Sequence, residues 1–186
     1  MASPSFLRQF LTSPEKVGGV RPSSRFLARS MVDALNAGDE TVVELGPGTG
    51  VFTRQLLQSG VTPHHLICVE FNHAFAEHVR HLCPGVRVIE GDASHLPALL
   101  SGAGQGRVTR IISGLPFRNF PGSVRAAIAK AVGEALVPGG YLVQFTYRGL
   151  PPLSQSEAGD AGLTGERLNL VLRNLPPAFV WRYVRH

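Results

Sequence analysis

The chain has 186 residues, of which 44% are hydrophobic and 17% are charged, and its formal net charge is +5 at pH 7. This composition is that of a folded domain of ordinary size and excludes an intrinsically disordered chain. Since no apolar run reaches the roughly 18–20 residues that a bilayer crossing needs, we expect no membrane-spanning segment.

Residues 1–36 are predicted to form a helical extension that precedes the main domain, residues 37–186. Within residues 6–11, two phenylalanines and two leucines fall on one face of a short helix, interrupted by Arg8 and Gln9. Such a helix can lie in a bilayer interface with its basic residues near anionic head groups, although the same side chains could pack on the domain's own core. We expect no secretory signal here and a cytoplasmic location.

A second helix is predicted from Phe26, directly after the Pro-Ser-Ser sequence at 22–24. Serine is favoured at helix N-caps, and a helix start exposes backbone donors. Ser24 is therefore a candidate to cover a bound cofactor.

After residue 36, strand-like and helix-like segments alternate, and the strand-like runs are almost continuously apolar, as is typical of buried parallel strands. The predicted strands are 40–45, 66–70, 86–90, 109–113 and 141–147, and the predicted helices are 51–58, 74–82, a short turn at 96–100, and 121–136. This alternation indicates a doubly wound, Rossmann-like α/β fold.

A glycine-rich loop, Glu-Leu-Gly-Pro-Gly-Thr-Gly at 44–50, follows the first strand and opens a helix. Glycine lets backbone N–H groups approach a ligand closely, and a helix N-terminus favours an anion. The spacing differs from the Gly-x-Gly-x-x-Gly of nicotinamide dinucleotide folds and is typical of the S-adenosylmethionine loop of methyltransferases. The candidate cofactor-binding residues in the loop are Glu44, Gly46, Gly48, Thr49 and Gly50.

Two further acidic residues follow the next two strands. Glu70 ends the second strand and could accept hydrogen bonds from both ribose hydroxyls, with Phe71 beside it. Asp92 follows the third strand, where methyltransferases of this fold place an adenine-binding aspartate, and Ala93 would contact the adenine ring. Because open α/β sheets bind ligands at their strand ends, these residues and the glycine loop predict one S-adenosylmethionine site.

The fourth strand runs into Ser-Gly-Leu-Pro-Phe at 113–117, the segment that lies beside the sulfonium in this fold. Ribosomal RNA adenine dimethylases carry asparagine where Ser113 stands, and this difference counts against a nucleobase as the methyl acceptor. Ser113 is also a candidate cofactor contact.

The C-terminal segments 168–173 and 178–184 are joined by Asn-Leu-Pro-Pro, which is too short for a parallel crossover. They predict an antiparallel hairpin closing the sheet, the ending associated with class I methyltransferases. The predicted fold is thus a mostly parallel class I methyltransferase sheet with a C-terminal antiparallel hairpin and an N-terminal helical extension.

The chain resembles the bacterial phospholipid N-methyltransferases in five segments that follow one another in the same order. They are 18–25, 44–50, 91–93, 113–117 and the Gln-Phe-Thr-Tyr sequence of 144–147. The resemblance covers roughly residues 6 to 183, and one departure is Phe-Arg-Asn at 117–119, where relatives often carry apolar residues. It implies N-methylation of phosphatidylethanolamine towards phosphatidylcholine, with ornithine lipids as acceptors in close relatives.

The resemblance also implies roles at the acceptor side of the site. The carbonyls of Ser113 and Gly114 and the hydroxyl of Tyr147 would position the amine, and Phe117 and Tyr147 could hold a methylated ammonium by cation–π contact. Leu115 would line the acceptor pocket. The residues expected to pair with a lipid phosphate are Arg21 and Arg148.

Basic residues are concentrated at both ends of the chain: five precede residue 30 against one acid, and four follow residue 166 with none. This pattern indicates an anionic partner. We expect anionic membrane lipids, bound peripherally at the inner face of the cytoplasmic membrane, and no nucleic acid; an RNA adenine methyltransferase remains the alternative, and the oligomeric state stays open.

Neither the cysteines nor the histidines predict further chemistry. Cys68 and Cys83 lack metal-ligand spacing and are expected to be reduced core thiols, so no metal site is expected. His73 and His95 follow the second and third strands but are expected to be surface residues, which leaves no dedicated general base.

Overall fold

The computed structural model describes residues 23–147 and 149–186. The predicted amphipathic helix at 6–11 and the two candidate phosphate-binding residues, Arg21 and Arg148, lie outside these ranges.

A seven-stranded sheet in the order β3-β2-β1-β4-β5-β7-β6 forms the centre of the fold. Strands β1 to β5 are parallel, and β7 runs antiparallel to both β5 and β6. The strands are β1 Val42–Leu45, β2 Leu66–Glu70, β3 Arg87–Glu90, β4 Val108–Ser113, β5 Leu136–Thr146, β6 Leu163–Val171 and β7 Ala178–Arg185. The predicted class I methyltransferase fold, with its C-terminal antiparallel hairpin, is confirmed.

Helices cover both faces of this sheet and bury its apolar side chains in two core clusters. On one face lie α1 Arg25–Leu35, α2 Val51–Gln58 and α3 His73–Leu82; on the other lie α4 Leu96–Gly102, α5 Gly122–Ala135 and α6 Gln155–Asp160. None of the helices in the described ranges has the length and apolar character needed to cross a membrane.

Helix α1 is held firmly against the sheet. Ser24 caps it by accepting a hydrogen bond from the Leu27 N–H at 3.2 Å. Leu27, Met31 and Leu35 are fully buried, as their helical spacing predicts. At its C-terminal end the Tyr141 hydroxyl donates to the Leu35 carbonyl at 2.7 Å. This bond connects the end of α1 to β5.

The hairpin strand β6 differs from its predicted position. It spans Leu163–Val171 rather than 168–173, because residues 163–167 pair with β7 from Arg185 to Trp181. As the edge strand it is mostly exposed, so its Thr-Gly-Glu-Arg sequence carries no apolar alternation. The predicted turn at 96–100 is a helix, and β5 begins at Leu136, directly after α5.

The sheet order reverses at β1, which pairs with β2 on one side and with β4 on the other. The carboxyl ends of β1, β2 and β4 therefore meet at a topological switch point, where open α/β sheets bind ligands. Each of these strands leads into a candidate segment described above.

Candidate active site

The glycine loop at 46–50 links β1 to α2 in a conformation that needs glycine. Gly46 has φ of +66° and Gly48 has φ of +52°, in the left-handed region that side chains rarely adopt. A Cβ at Gly46 would lie 2.5 Å from the Leu115 side chain, whereas one at Gly48 would meet no atom of residues 23–147 and 149–186 within 4 Å. Gly48 thus faces open space that a ligand could fill.

Glu70 fastens this loop from the end of β2. Its Oε2 accepts a hydrogen bond from the Gly48 N–H at 3.1 Å, and its Oε1 accepts one from the Asn72 N–H at 2.9 Å. The carboxylate is only 6% exposed. Burial raises its pKa, while these backbone N–H bonds oppose the rise.

A pocket of about 300 Å³, which includes space open to solvent, lies at these strand ends and is called here the Glu70 pocket. Five of the predicted cofactor-binding residues line it, namely Gly46, Glu70, Phe71, Asp92 and Ala93. Leu115 lines it as well. Asp92 accepts a hydrogen bond from the Ser94 N–H at 2.8 Å, which fixes the turn after β3.

Glu44, by contrast, lies behind the loop and does not line the Glu70 pocket. Its carboxylate is fully buried, and its Oε2 accepts hydrogen bonds from Thr53 Oγ1 at 2.7 Å and from Cys68 Sγ at 3.4 Å. Within the described ranges, its Oε1 has no hydrogen-bond partner. Burial raises the pKa of Glu44 to about 7, despite the hydrogen bonds that lower it.

The turn after β4 packs directly on the glycine loop. The Gly114 N–H donates to the Leu45 carbonyl at 2.8 Å, and a Cβ at Gly114 would lie 2.6 Å from the Gly46 carbonyl oxygen. The Ser113 hydroxyl is fully buried and accepts the Leu115 N–H at 3.2 Å. Ser113 therefore shapes the turn from inside. It lines neither the Glu70 pocket nor the second pocket, which is described next.

A second pocket, of about 400 Å³ including space open to solvent, lies on the other side of this turn and is called the Tyr147 pocket. It is lined by Gly114, Pro116, Phe117, Arg118, Asn119, Phe145, Thr146 and Tyr147. The consecutive residues Gly114 and Leu115 therefore contribute to different pockets. Leu115, expected at the acceptor side, lies in the Glu70 pocket instead.

The two aromatic candidates in the Tyr147 pocket differ in exposure. Phe117 is only 1% exposed, and its ring packs on Phe120 with 6.4 Å between centroids. Tyr147 is partly exposed and packs edge-on against Phe145 at 5.2 Å. Tyr147 therefore offers more aromatic surface to a ligand than Phe117 does.

Asn174, in the loop between β6 and β7, connects this pocket to the start of α1. Its Oδ1 accepts a hydrogen bond from the Ser24 N–H at 3.1 Å, and its Nδ2 donates to the Pro176 carbonyl at 2.6 Å. Burial raises the pKa of Tyr147, although side-chain hydrogen bonding with Ser23 and Asn174 opposes the rise. The Tyr147 hydroxyl therefore keeps its proton at neutral pH.

Gln144 fixes the turn after β4 from β5. It is fully buried, and its Nε2 donates to the Leu115 carbonyl at 2.9 Å and to the Phe145 carbonyl at 3.1 Å. Gln144 belongs to the Gln-Phe-Thr-Tyr segment of the resemblance, which gave it no role. Its contact now links that segment to the segment at 113–117.

The remaining sequence candidates do not belong to the lining of either pocket. Ser24 uses its hydroxyl to cap α1, Thr49 is exposed, and Gly50 begins α2. His95 is exposed, and His73 is exposed with its Nδ1 2.9 Å from Glu90 Oε2, a bond that raises the pKa of His73. Both cysteines are buried and unpaired, as predicted.

Comparisons with known proteins agree with this geometry. The methyltransferase domain family matches residues 42–140, a range that contains the glycine loop, Glu70, Asp92 and the turn after β4. An ornithine lipid N-methyltransferase from Singulisphaera acidiphila is 30% identical over 147 residues, which cover 76% of this chain and 76% of that protein.

Two further similarities are more limited. A ribosomal RNA small subunit methyltransferase A from Chlorobium chlorochromatii is 35% identical over 80 residues, which cover 42% of this chain and 28% of that protein. The solved structure of a Synechocystis magnesium protoporphyrin IX methyltransferase with bound S-adenosylmethionine is 14% identical, covers 100% of both chains and superposes with a TM-score of 0.70. At that identity the structural likeness concerns the fold alone.

Proposed function

Because this chain belongs to the class I S-adenosylmethionine-dependent methyltransferases, with S-adenosylmethionine as its cofactor, we propose that it methylates the primary amine of a membrane lipid head group. The observation that carries this proposal is the turn after β4. Gly114 lines the Tyr147 pocket and Leu115 lines the Glu70 pocket. A methyl donor in one pocket would thus face an acceptor in the other across a single peptide unit.

The Glu70 pocket suits the methyl donor. S-adenosylmethionine supplies a methyl group that its sulfonium makes electrophilic. Glu70 would accept hydrogen bonds from the ribose hydroxyls, and Asp92 and Ala93 would hold the adenine. Gly48 has space for a ligand because no atom of the described residues lies within 4 Å of where its Cβ would be. These residues offer the hydrogen-bond acceptors that the ribose and the adenine amino group need.

The Tyr147 pocket suits a small amine that carries a neighbouring anion. The Tyr147 hydroxyl, which keeps its proton, can accept a hydrogen bond from the amine and its ring can contact the methylated product. Arg118 is exposed on the pocket wall and is the cation that the described lining offers. Its guanidinium would pair with the phosphate or carboxylate of a head group.

Neither a carboxylate nor a histidine belongs to the described lining of the Tyr147 pocket. The residues there can therefore orient an amine but have no ordinary base with which to deprotonate it. We infer that the amine enters unprotonated and that positioning lowers most of the barrier. kcat/KM should then rise with pH through the neutral and mildly alkaline range.

Two lipids meet these requirements. Phosphatidylethanolamine carries its amine beside a phosphate, and it is the acceptor that the sequence resemblance implies. Ornithine lipid carries an amine on an amino acid head group, and the name of the Singulisphaera relative favours it. The proposed location is the surface of the membrane that holds these lipids.

An acceptor assay with labelled S-adenosylmethionine tests the proposal. The full chain is incubated separately with phosphatidylethanolamine vesicles, with ornithine lipid vesicles and with ribosomal RNA, and the label is measured in each. We expect label in at least one lipid and none in RNA. Label in RNA alone would contradict the proposal.

The donor site is tested with two substitutions at one position. We predict that Glu70→Ala lowers the affinity for S-adenosylmethionine at least tenfold, measured by calorimetry, because the ribose loses its acceptor. Glu70→Gln keeps a hydrogen-bond acceptor for the Gly48 N–H and serves as the matched variant for loop structure. Unchanged affinity in Glu70→Ala would remove Glu70 from the cofactor site.

A further inference from the structure

An exposed apolar loop lies between β6 and β7, and we propose that it docks the protein onto an anionic lipid surface. The loop, residues 172–177, is called the hairpin loop. Leu172 and Leu175 are 71% and 75% exposed, more than any other large hydrophobic side chain in the described ranges. Two leucines so exposed on one short loop are unusual for a surface that meets only water.

Two arginines, one in this loop and one at the start of α1, lie close to the same phenylalanine ring. The Arg173 guanidinium lies 5.5 Å from the centroid of the Phe26 ring, and the Arg25 guanidinium lies 5.0 Å from the same ring. Phe26 itself is exposed at the start of α1. Across residues 23–147 and 149–186, neither arginine forms an ion pair with a carboxylate. Within this part of the chain, no carboxylate competes with an external anion for either charge.

An apolar tip with a basic rim is the chemistry of an interfacial lipid-binding element. Leucines enter the boundary between head groups and acyl chains, and each arginine near an anionic surface adds attraction. A nucleic acid would use the arginines but would give the leucines no apolar phase to enter. The combination of the two favours a lipid surface.

The hairpin loop also lies next to the Tyr147 pocket. Asn174, between the two leucines in sequence, bonds the Ser24 N–H and interacts with the Tyr147 hydroxyl. A loop that rests on the membrane would thus bring this pocket to the level of the head groups. This role of the loop rests on the proposed function, but its lipid binding can be measured without turnover.

The test is sedimentation of the full chain with vesicles of phosphatidylglycerol and phosphatidylcholine, and with vesicles of phosphatidylcholine alone. We expect the wild type to prefer the anionic vesicles. The double variant Leu172→Ser/Leu175→Ser should bind them at least about tenfold more weakly, because both side chains lose the apolar surface that the acyl boundary would bury. Arg25→Gln/Arg173→Gln should lower the affinity by about tenfold and reduce its salt dependence.

Control substitutions lie at the amino ends of the parallel strands, away from both pockets. Val137→Ser removes a partly exposed apolar side chain at the beginning of β5, and Arg107→Gln removes an exposed charge directly before β4. Both should leave vesicle binding unchanged. Circular dichroism and thermal denaturation establish that every variant is folded.

The outcomes separate this inference from the proposed function. Wild-type affinity in the leucine variant, or no binding of anionic vesicles by the wild type, overturns the docking role even if lipids are methylated. Weaker binding in the leucine and arginine variants, with normal binding in the controls, supports it even if no lipid accepts a methyl group.

Discussion

We predict that Glu44→Gln stabilises the protein progressively as the pH rises. The Glu44 carboxyl is fully buried, and its pKa is raised from an ordinary 4.5 to about 7. The folded state therefore binds the proton more tightly than the unfolded chain does. The favourable contribution of the protonated form is complete below about pH 4.5 and is lost as the pH rises to about 7 and beyond.

The size of the effect follows from that difference in pKa. Each factor of ten in proton affinity corresponds to about 1.4 kcal/mol, so the buried charge costs about 3 kcal/mol at pH 8. Glutamine keeps the shape and can accept the Thr53 hydrogen bond without a charge. The difference in unfolding free energy between Glu44→Gln and the wild type should increase by about 2.5 kcal/mol between pH 5 and pH 8, since part of the cost is already present at pH 5.

Urea denaturation at intervals from pH 5 to pH 8 measures this difference, because titrations common to both proteins cancel. Glu134→Gln, at an exposed position on α5, is the matched control. Its difference from the wild type should stay nearly constant. A constant difference for Glu44→Gln over the same range would refute the argument that burial controls this carboxyl.

Three further substitutions test the site. Tyr147→Phe should lower kcat at least fivefold while leaving the affinity for S-adenosylmethionine within twofold, and a fully active variant would exclude the hydroxyl from the mechanism. Gly114→Ala should destabilise the protein by about 2–4 kcal/mol in urea denaturation, because its Cβ would lie 2.6 Å from the Gly46 carbonyl oxygen. Gln144→Leu should lower the free energy of unfolding by about 1–3 kcal/mol and raise the KM for the cofactor, because the Leu115 carbonyl loses its donor. An unchanged KM would mean that the turn holds its shape without this bond.

The sequence predicted the features that depend on short-range patterns. Apolar runs ending in Glu70 and before Asp92 located two strand ends, and parallel pairing guarantees that such ends share one edge of the sheet. The structure places both residues in one pocket. The glycine loop was equally predictable, since positive φ values are a property of the residue type.

Features that depend on register could not be read from the sequence. Glu44 belongs to the glycine motif, yet it is paired in register with Cys68 of β2, and its side chain points to Thr53 behind the loop. Successive side chains on a strand point to opposite faces. Which side chains lie beside Glu44 depends on the register between β1 and β2, and its paired residue Cys68 is 24 positions away in the chain.

Asn174 shows the same limit over a longer range. Its partner Ser24 is 150 residues away in the chain, and the local pattern around Asn174 indicates only a turn. Strand β6 was misplaced for a related reason, since an exposed edge strand lacks the apolar alternation that marks a strand. Tertiary pairing, rather than local propensity, determines both features.

The direct connection of Gly114 to Leu115 limits which substitutions could alter acceptor choice without affecting cofactor binding. Because Gly114 lines the Tyr147 pocket and Leu115 lines the Glu70 pocket, a substitution at Gly114 that reshapes the proposed acceptor side would also shift a residue of the proposed donor side. Selection for a new acceptor would then be constrained by the strength of cofactor binding. Variants that broaden acceptor choice should therefore arise first at Arg118 and Asn119, which line the Tyr147 pocket alone.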